Sequence, residues 1–365
     1  MRSRRGRIVT VESLAELDRR LEAGARTLHG WRLVGLDLRG HSERLRERDT
    51  SRATFAGCRF AAGDAEHHAR RGALILPTVP DTPIDPQRSE LYTADELYDT
   101  TPYAATLDAR AYAWQQERTG ADAALARALH DEGVDGALGR WVQGRRLVGV
   151  MGGHALRRGE PGYADAARLG HLVGADFTVA TGGGPGAMEA ANLGARLAGS
   201  DAAALDEAIG MLTRAPSYHP SPDAWVDAAR DVLIRFPLAA DSLGVPTWHY
   251  GHEPPNLFAT AIAKYFRNAL REAILLELCG SGIVFLPGAG GTVQEIFQDA
   301  CENYYATEER IAPMVLVGHR HWTEVLPAWP LLQSLAKGRP MERHVHLVDS
   351  VDDAAALLMD PTRPM

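Results

Sequence analysis

The chain has 365 residues, a formal net charge of -8 and 45% hydrophobic residues, enough for two domains with sizeable cores. The acidic balance speaks against a general nucleic-acid binder, which carries a basic excess or stripe. The basic start Met1-Arg2-Ser3-Arg4-Arg5-Gly6-Arg7 has no long apolar run behind it, so neither a secretory leader nor a membrane span is expected. Cys58, Cys279 and Cys301 form no metal-type or disulfide pattern, which fits reduced thiols in a cytoplasmic protein.

In chain order, residues 31–40 and 53–60 alternate in the manner of short strands. Their rhythm has a trace of pentapeptide-repeat coils, but two segments are too few for a solenoid. A Pro-rich stretch at 77–86 reads as a link to a helical segment at about 107–138. Residues 1–140 are therefore expected to form a smaller N-terminal accessory region, with no catalytic pattern in it.

From 141 to 365 strand and helix signals alternate. Strands are expected at 146–151, 177–180, 243–248, 282–286, 313–318 and 344–348. Helices are expected from 163 to 173, from Gly186 onward, and over 257–278, where Ile262, Phe266, Leu270, Ala273 and Leu276 recur at helical intervals. Such alternation means an α/β fold with a mostly parallel sheet covered on both faces. A helical insertion at about 200–241 is broken by Ser217-Tyr218-His219-Pro220-Ser221-Pro222 and reads as a lid or a piece of interface.

The chemistry-bearing feature is a pair of glycine-rich strand-to-helix turns. The first is Thr181-Gly182-Gly183-Gly184-Pro185-Gly186-Ala187-Met188-Glu189; the second is Pro287-Gly288-Ala289-Gly290-Gly291-Thr292-Val293-Gln294-Glu295. Such turns bring backbone N–H groups and a helix N-terminus to an anion. Two of them suggest a phosphorylated small molecule at the strand ends of an open sheet.

Together the loops resemble the LONELY GUY family of nucleoside-monophosphate phosphoribohydrolases. Gly182, Gly183, Gly184, Gly186 and Met188 match its GGG-x-x-G-x-M pattern; Pro287, Gly288, Gly291, Thr292 and Glu295 match PGG-x-GT-x-x-E. The resemblance spans residues 145–350 and implies a Rossmann-like, doubly wound fold that assembles as a homodimer or larger. It implies hydrolysis of the N-glycosidic bond of a nucleoside 5′-monophosphate to free base and ribose 5-phosphate. Two positions depart from the pattern: Ala289 stands for a second glycine, and Gln294 for the first glutamate of a Glu-Glu pair. The rival reading is a carrier that binds a nucleotide or a molybdenum-type cofactor without hydrolysis.

The resemblance makes Glu295 the catalytic carboxylate, stabilising oxocarbenium character and orienting water. From the residues alone, Thr292-x-x-Glu295 reads equally as a capping box. Arg271, or Arg267 one turn earlier, would bind phosphate or assist departure of the base; a solvated helix arginine is the alternative. Gly288, Gly290, Gly291 and Thr292 would meet the phosphate. Gly183, Gly184 and Gly186 would approach the nucleotide with Met188 packed beside them, and Gly152 and Gly153 would line its base or ribose side. His249 and Tyr250 are candidates for base stacking. The spacing of His249 and His252 has no third ligand to complete a metal site, so no metal is expected. No redox cofactor is expected either, because neither loop has the Gly-x-Gly-x-x-Gly pattern.

Overall fold

The computed structural model describes residues 9–76, 79, 81–117, 119–249 and 253–360. The chain gathers into two compact units, Met1–Arg88 with Thr119–His130, and Ser89–Arg118 with Asp131–Met365.

In the first unit β1 (Val9–Val11), β2 (Trp31–Val34), β3 (Thr54–Ala56) and β4 (Leu74–Leu76) lie side by side in chain order, all parallel. Val11, Leu33, Phe55 and Ile75 stand in register across the ladder. They form an apolar column that is packed by Leu17, Leu21, Leu28 and Leu45. Short helices occupy the passages; Leu14–Glu22 is capped by Ser13, whose Oγ accepts the Glu16 N–H at 3.2 Å. The alternating segments read from sequence are β2 and β3. β1 and β4 have three residues each and too little alternation to read. With four turns, each adding one parallel strand, the unit is solenoid-like.

The segment Ser89–Arg118 clusters with the second unit, whereas the sequence placed everything up to 140 in the N-terminal region. Long-range polar contacts hold it there. Tyr92 and Ile262 exchange backbone hydrogen bonds of 2.9 Å each. Buried Asp108 accepts from Trp248 Nε1 at 2.8 Å and from Lys264 Nζ at 2.5 Å. Part of the expected link, residues 77, 78 and 80, lies outside the described residues.

The second unit is built on a seven-stranded sheet. Its strands are β5 (Leu147–Met151), β6 (Thr178–Thr181), β7 (Ser242–Gly244), β8 (Ala261–Ile262), β9 (Ile283–Phe285), β10 (Met314–Val317) and β11 (Val345–Val348). The order is β11-β10-β9-β5-β6-β7-β8, every pair parallel. Central β5 is buried at every residue, as an uninterrupted Leu-Val-Gly-Val-Met run requires. Helices form two packed groups: Pro161–Val173 with Ala187–Arg196 and Val351–Leu358, and Asn268–Leu278 with Gly290–Tyr305, itself against Ala328–Ala336. The fold is α/β, Rossmann-like and doubly wound. The chain runs outward from β5 to β8, then returns to start β9 on the other side of β5. The β5–β9 junction is therefore the topological switch point, where such sheets bind ligands.

One expected element is shorter. The helix predicted over 257–278 begins only at Asn268. Residues 261–266 are all buried, which leaves no polar face for an amphipathic helix there. β8 and the pairing of Thr247 with Tyr265 use that stretch instead. Among the described residues no helix is long and apolar enough to cross a membrane.

The helices Pro161–Val173 and Ala187–Arg196 touch backbone to backbone. A Cβ on Gly194 would lie 1.8 Å from the Ala167 carbonyl oxygen, and one on Gly170 2.1 Å from that of Ala191. Gly194→Ala is expected to lower stability by about 1–3 kcal/mol through overpacking, measured by denaturant unfolding; an unchanged midpoint would contradict this contact.

Candidate active site

The first glycine loop leaves the end of β6 held by a buried polar clamp. Thr181 Oγ1 donates to Asn192 Oδ1 at 2.7 Å and accepts the Gly183 N–H at 3.0 Å. Asn256 donates its backbone N–H to Gly183 O at 2.8 Å and its side-chain amide to Gly184 O at 3.2 Å. Asn192 and Asn256 are both fully buried. With those carbonyls tied inward, the loop has one fixed conformation.

The turn into the helix Ala187–Arg196 needs Gly186. Its φ is +74°, and a Cβ there would lie 2.5 Å from Gly153 O. The Ala187 N–H donates to that same oxygen at 3.1 Å, and the Gly153 N–H reaches Pro287 O at 3.4 Å. Gly152 and Gly153 therefore stand between the two glycine loops. Met188 packs against the first loop: its sulfur lies 2.8 Å from where a Cβ on Gly182 would stand.

In the second loop, Gly288 leaves room for Thr292, whose Oγ1 would be 2.2 Å from a Cβ at that position. His321 Nε2 lies 3.1 Å from Gly288 O. Ala289 has φ -121° and ψ -146°, so this position does not take the positive φ that would favour a glycine. Ala289 is the N-cap residue of the helix Gly290–Tyr305, which has no side-chain cap. The capping box open to Thr292 and Glu295 is thus not formed. Gly290 and Gly291 are exposed, with no atom near their Cβ positions. Their N–H groups, at the first turn of a helix, have no intrahelical partner.

Arg271 stands on the helix Asn268–Leu278 against the first loop. Its Nη1 is 3.4 Å from the Cβ position of Gly182, and Nη2 donates to Asn268 Oδ1 at 3.1 Å. The side chain is 11% exposed, and its buried Nε–H has no hydrogen-bond partner among the described residues. Buried donors without an acceptor are uncommon in folded proteins, which sets this guanidinium apart. Arg267 is exposed at the N-cap position, with its peptide N–H on Asp131 Oδ2 at 3.0 Å. Of the two arginines, Arg271 is therefore the one that meets the loop.

Glu295 is half-buried and makes no hydrogen bond among the described residues. Burial pushes its carboxyl up to about 7; the Arg271 charge lowers it and the Glu272 charge raises it further. Glu272, itself buried, accepts from Asn268 Nδ2 at 2.7 Å and from Gln294 Nε2 at 2.6 Å. Gln294 thus supplies a donor where a glutamate would set a second carboxylate against Glu272.

His249 is exposed, and Tyr250 lies outside the described residues. Sequence reasoning did not single out Glu253, whose Oε2 is 3.6 Å from the Cβ position of Gly184 and whose Oε1 is 3.6 Å from His154 Nδ1. Two prolines separate it from Asn256, the residue that clamps the loop. Only that clamp brings it there, and nothing in the local sequence announces the clamp. The Pro-rich break of the insertion also reaches the first loop. Pro185, Gly186, His154, Tyr218 and His219 share the lining of a pocket of about 210 Å³.

No known family model and no curated protein matches this sequence. Among solved structures, a molybdenum cofactor binding protein from Rippkaea orientalis is similar at 17% identity and TM-score 0.36, over 59% of this chain and 96% of that one. A molybdenum cofactor carrier protein from Chlamydomonas reinhardtii is similar at 19% identity and TM-score 0.36, over 59% and 96%. A structural genomics target gives 17% identity and TM-score 0.36, over 58% and 98%. Similarity of this degree carries no functional inference.

The folded protein holds the Glu295 proton more tightly than the unfolded chain does. This carboxyl's contribution is therefore most favourable below the ordinary carboxylate pKa of 4.5 and declines as pH rises toward about 7. Glu295→Gln is accordingly expected to gain stability relative to wild type between pH 5 and pH 8. Thermal or denaturant unfolding across that range checks it, and a difference independent of pH would contradict the burial of this carboxyl.

Proposed function

We propose that the cleft at the β5–β9 switch point hydrolyses the N-glycosidic bond of a nucleoside 5′-monophosphate, releasing free base and ribose 5-phosphate. The observation that carries this reading is the opposition of Arg271, against the first loop, to Glu295, on the helix of the second. One is a buried cation with an unused donor and the other a carboxyl shifted to about 7.

In this reading the substrate phosphate lies at the open helix N-terminus, on the N–H groups of Gly290, Gly291 and Thr292. Ionised Glu295 faces the ribose, where positive charge builds on C1′ as the C1′–N bond lengthens. It also takes a proton from the attacking water, whose oxygen bonds to C1′; the departing base nitrogen leaves with the bond pair and takes its proton from solvent water, while Glu295 returns the proton it gained to solvent. A base with pKa near 7 is half ionised at neutral pH and matched to that proton transfer. Arg271 completes the anion site or steadies charge on the leaving base. Of the departures that kept a binding-only reading open, Ala289 has a negative φ and Gln294 has a hydrogen-bond partner in Glu272.

Glu295→Gln is expected to lower turnover by roughly a hundredfold or more while sparing nucleotide binding. Unchanged hydrolysis would remove Glu295 from the mechanism. Arg271→Ala is expected to raise the substrate concentration needed for half-maximal rate far more than it lowers the unfolding midpoint. Loss of folding in its place would make the arginine structural.

A further inference from the structure

The pocket beside the first glycine loop is lined by residues 154–158, by the loop and the helix after it, and by the insertion, and the catalytic reading leaves it without a role. Its floor is the ion pair Arg158–Glu189, each side chain 1% exposed. The Arg158 guanidinium is used up inside: Nε and Nη2 donate to the Glu189 oxygens at 3.1 and 2.5 Å. Nη1 donates to the backbone oxygens of Ala215 and Trp225 at 3.2 and 3.0 Å. The same guanidinium stacks over the Trp225 ring at 4.5 Å. A floor so neutralised offers a phosphate no free donor and supports a flat, apolar ligand face; the other arginine of the lining, Arg157, is exposed to solvent.

The walls suit such a ligand. Tyr218 and His219 lie ring to ring, centroids 4.2 Å apart, and Tyr218 meets Trp225 edge-on at 6.4 Å. Tyr218 is half-buried, and the Glu253 charge reaches its hydroxyl. Tyr218 shares the pocket lining with His154, which lies 3.6 Å from Glu253. At about 210 Å³ the space is below the roughly 300–1,000 Å³ of pockets that enclose a whole drug-sized ligand. It has room for part of a nucleotide.

We infer that this pocket receives the nucleobase, with Tyr218 as the stacking residue contributed by the insertion. This assignment rests on the hydrolase reading above for its substrate class. Phosphate and base then occupy opposite ends of the cleft, at the second and first loops, with C1′ between them. Stacking tolerates different bases because each has a π-face, so Tyr218 sets affinity for the base as a class.

The test is calorimetric binding of AMP and of ribose 5-phosphate, which lacks the base, to Tyr218→Leu and Tyr218→Phe. Both are made in the full chain carrying Glu295→Gln, so that bound AMP survives. Tyr218→Leu is expected to weaken AMP roughly tenfold or more and leave ribose 5-phosphate within about twofold; Tyr218→Phe is expected to hold both. Unchanged AMP binding in Tyr218→Leu overturns the assignment. So does equal weakening of both ligands, which would make Tyr218 a support of the loop. AMP binding that depends on Tyr218, with no AMP turnover by the wild-type chain, would sink the hydrolase reading and leave the base pocket standing. Binding of no nucleotide by any variant overturns both.

Discussion

The backbone contact between the first glycine loop and the end of β5 is the constraint on which the rest of the site depends. Gly186 turns through a left-handed conformation with its α-carbon pressed toward Gly153 O, and the Ala187 N–H bonds that oxygen. Gly153 in turn reaches Pro287 of the second loop. A side chain at Gly186 would push the loops apart, because its nearest neighbours are backbone atoms that cannot swing away. With the loops so joined, the helices Ala187–Arg196 and Gly290–Tyr305 that follow them start at the same end of the sheet.

The electrostatics follow from this closeness. Glu295 and Glu272 share one neighbourhood with a single guanidinium, that of Arg271. Glu272 is satisfied by two amide donors, Asn268 and Gln294, and stays an acceptor fixed in place. Glu295 has no such donors, so burial governs it and its carboxyl rises to about 7. Glu272 is thus held in a hydrogen-bond network, whereas burial is the main influence on Glu295.

Much of the second unit was legible in sequence because its strands are continuous apolar runs punctuated by glycine. Residues 146–151 became β5, and 313–318 became β10. The glycine loops were legible as well, since close approach of one backbone to another demands that composition. Long-range partnerships were not legible. The clamp of Asn256 on Gly183 and Gly184 joins residues more than seventy positions apart. The helix expected from 257 starts at 268 because its first half is spent on edge pairing. Tyr92 and Asp108, read as parts of an N-terminal region, are bound into the second unit by Ile262, Trp248 and Lys264. The solenoid-like ladder was missed in half its turns, since three-residue strands leave almost no periodicity to detect.

The account's central claim is that the crevice breaks a C1′–N bond with water. The most direct measurement is incubation of the purified protein with AMP, GMP, CMP, UMP and isopentenyl-AMP in ¹⁸O-labelled water, with products identified by chromatography and mass spectrometry. The account predicts free base in equal amount to ribose 5-phosphate, the sugar carrying the label at C1. Release of inorganic phosphate with an intact nucleoside, or no product from any nucleotide that binds, would contradict it.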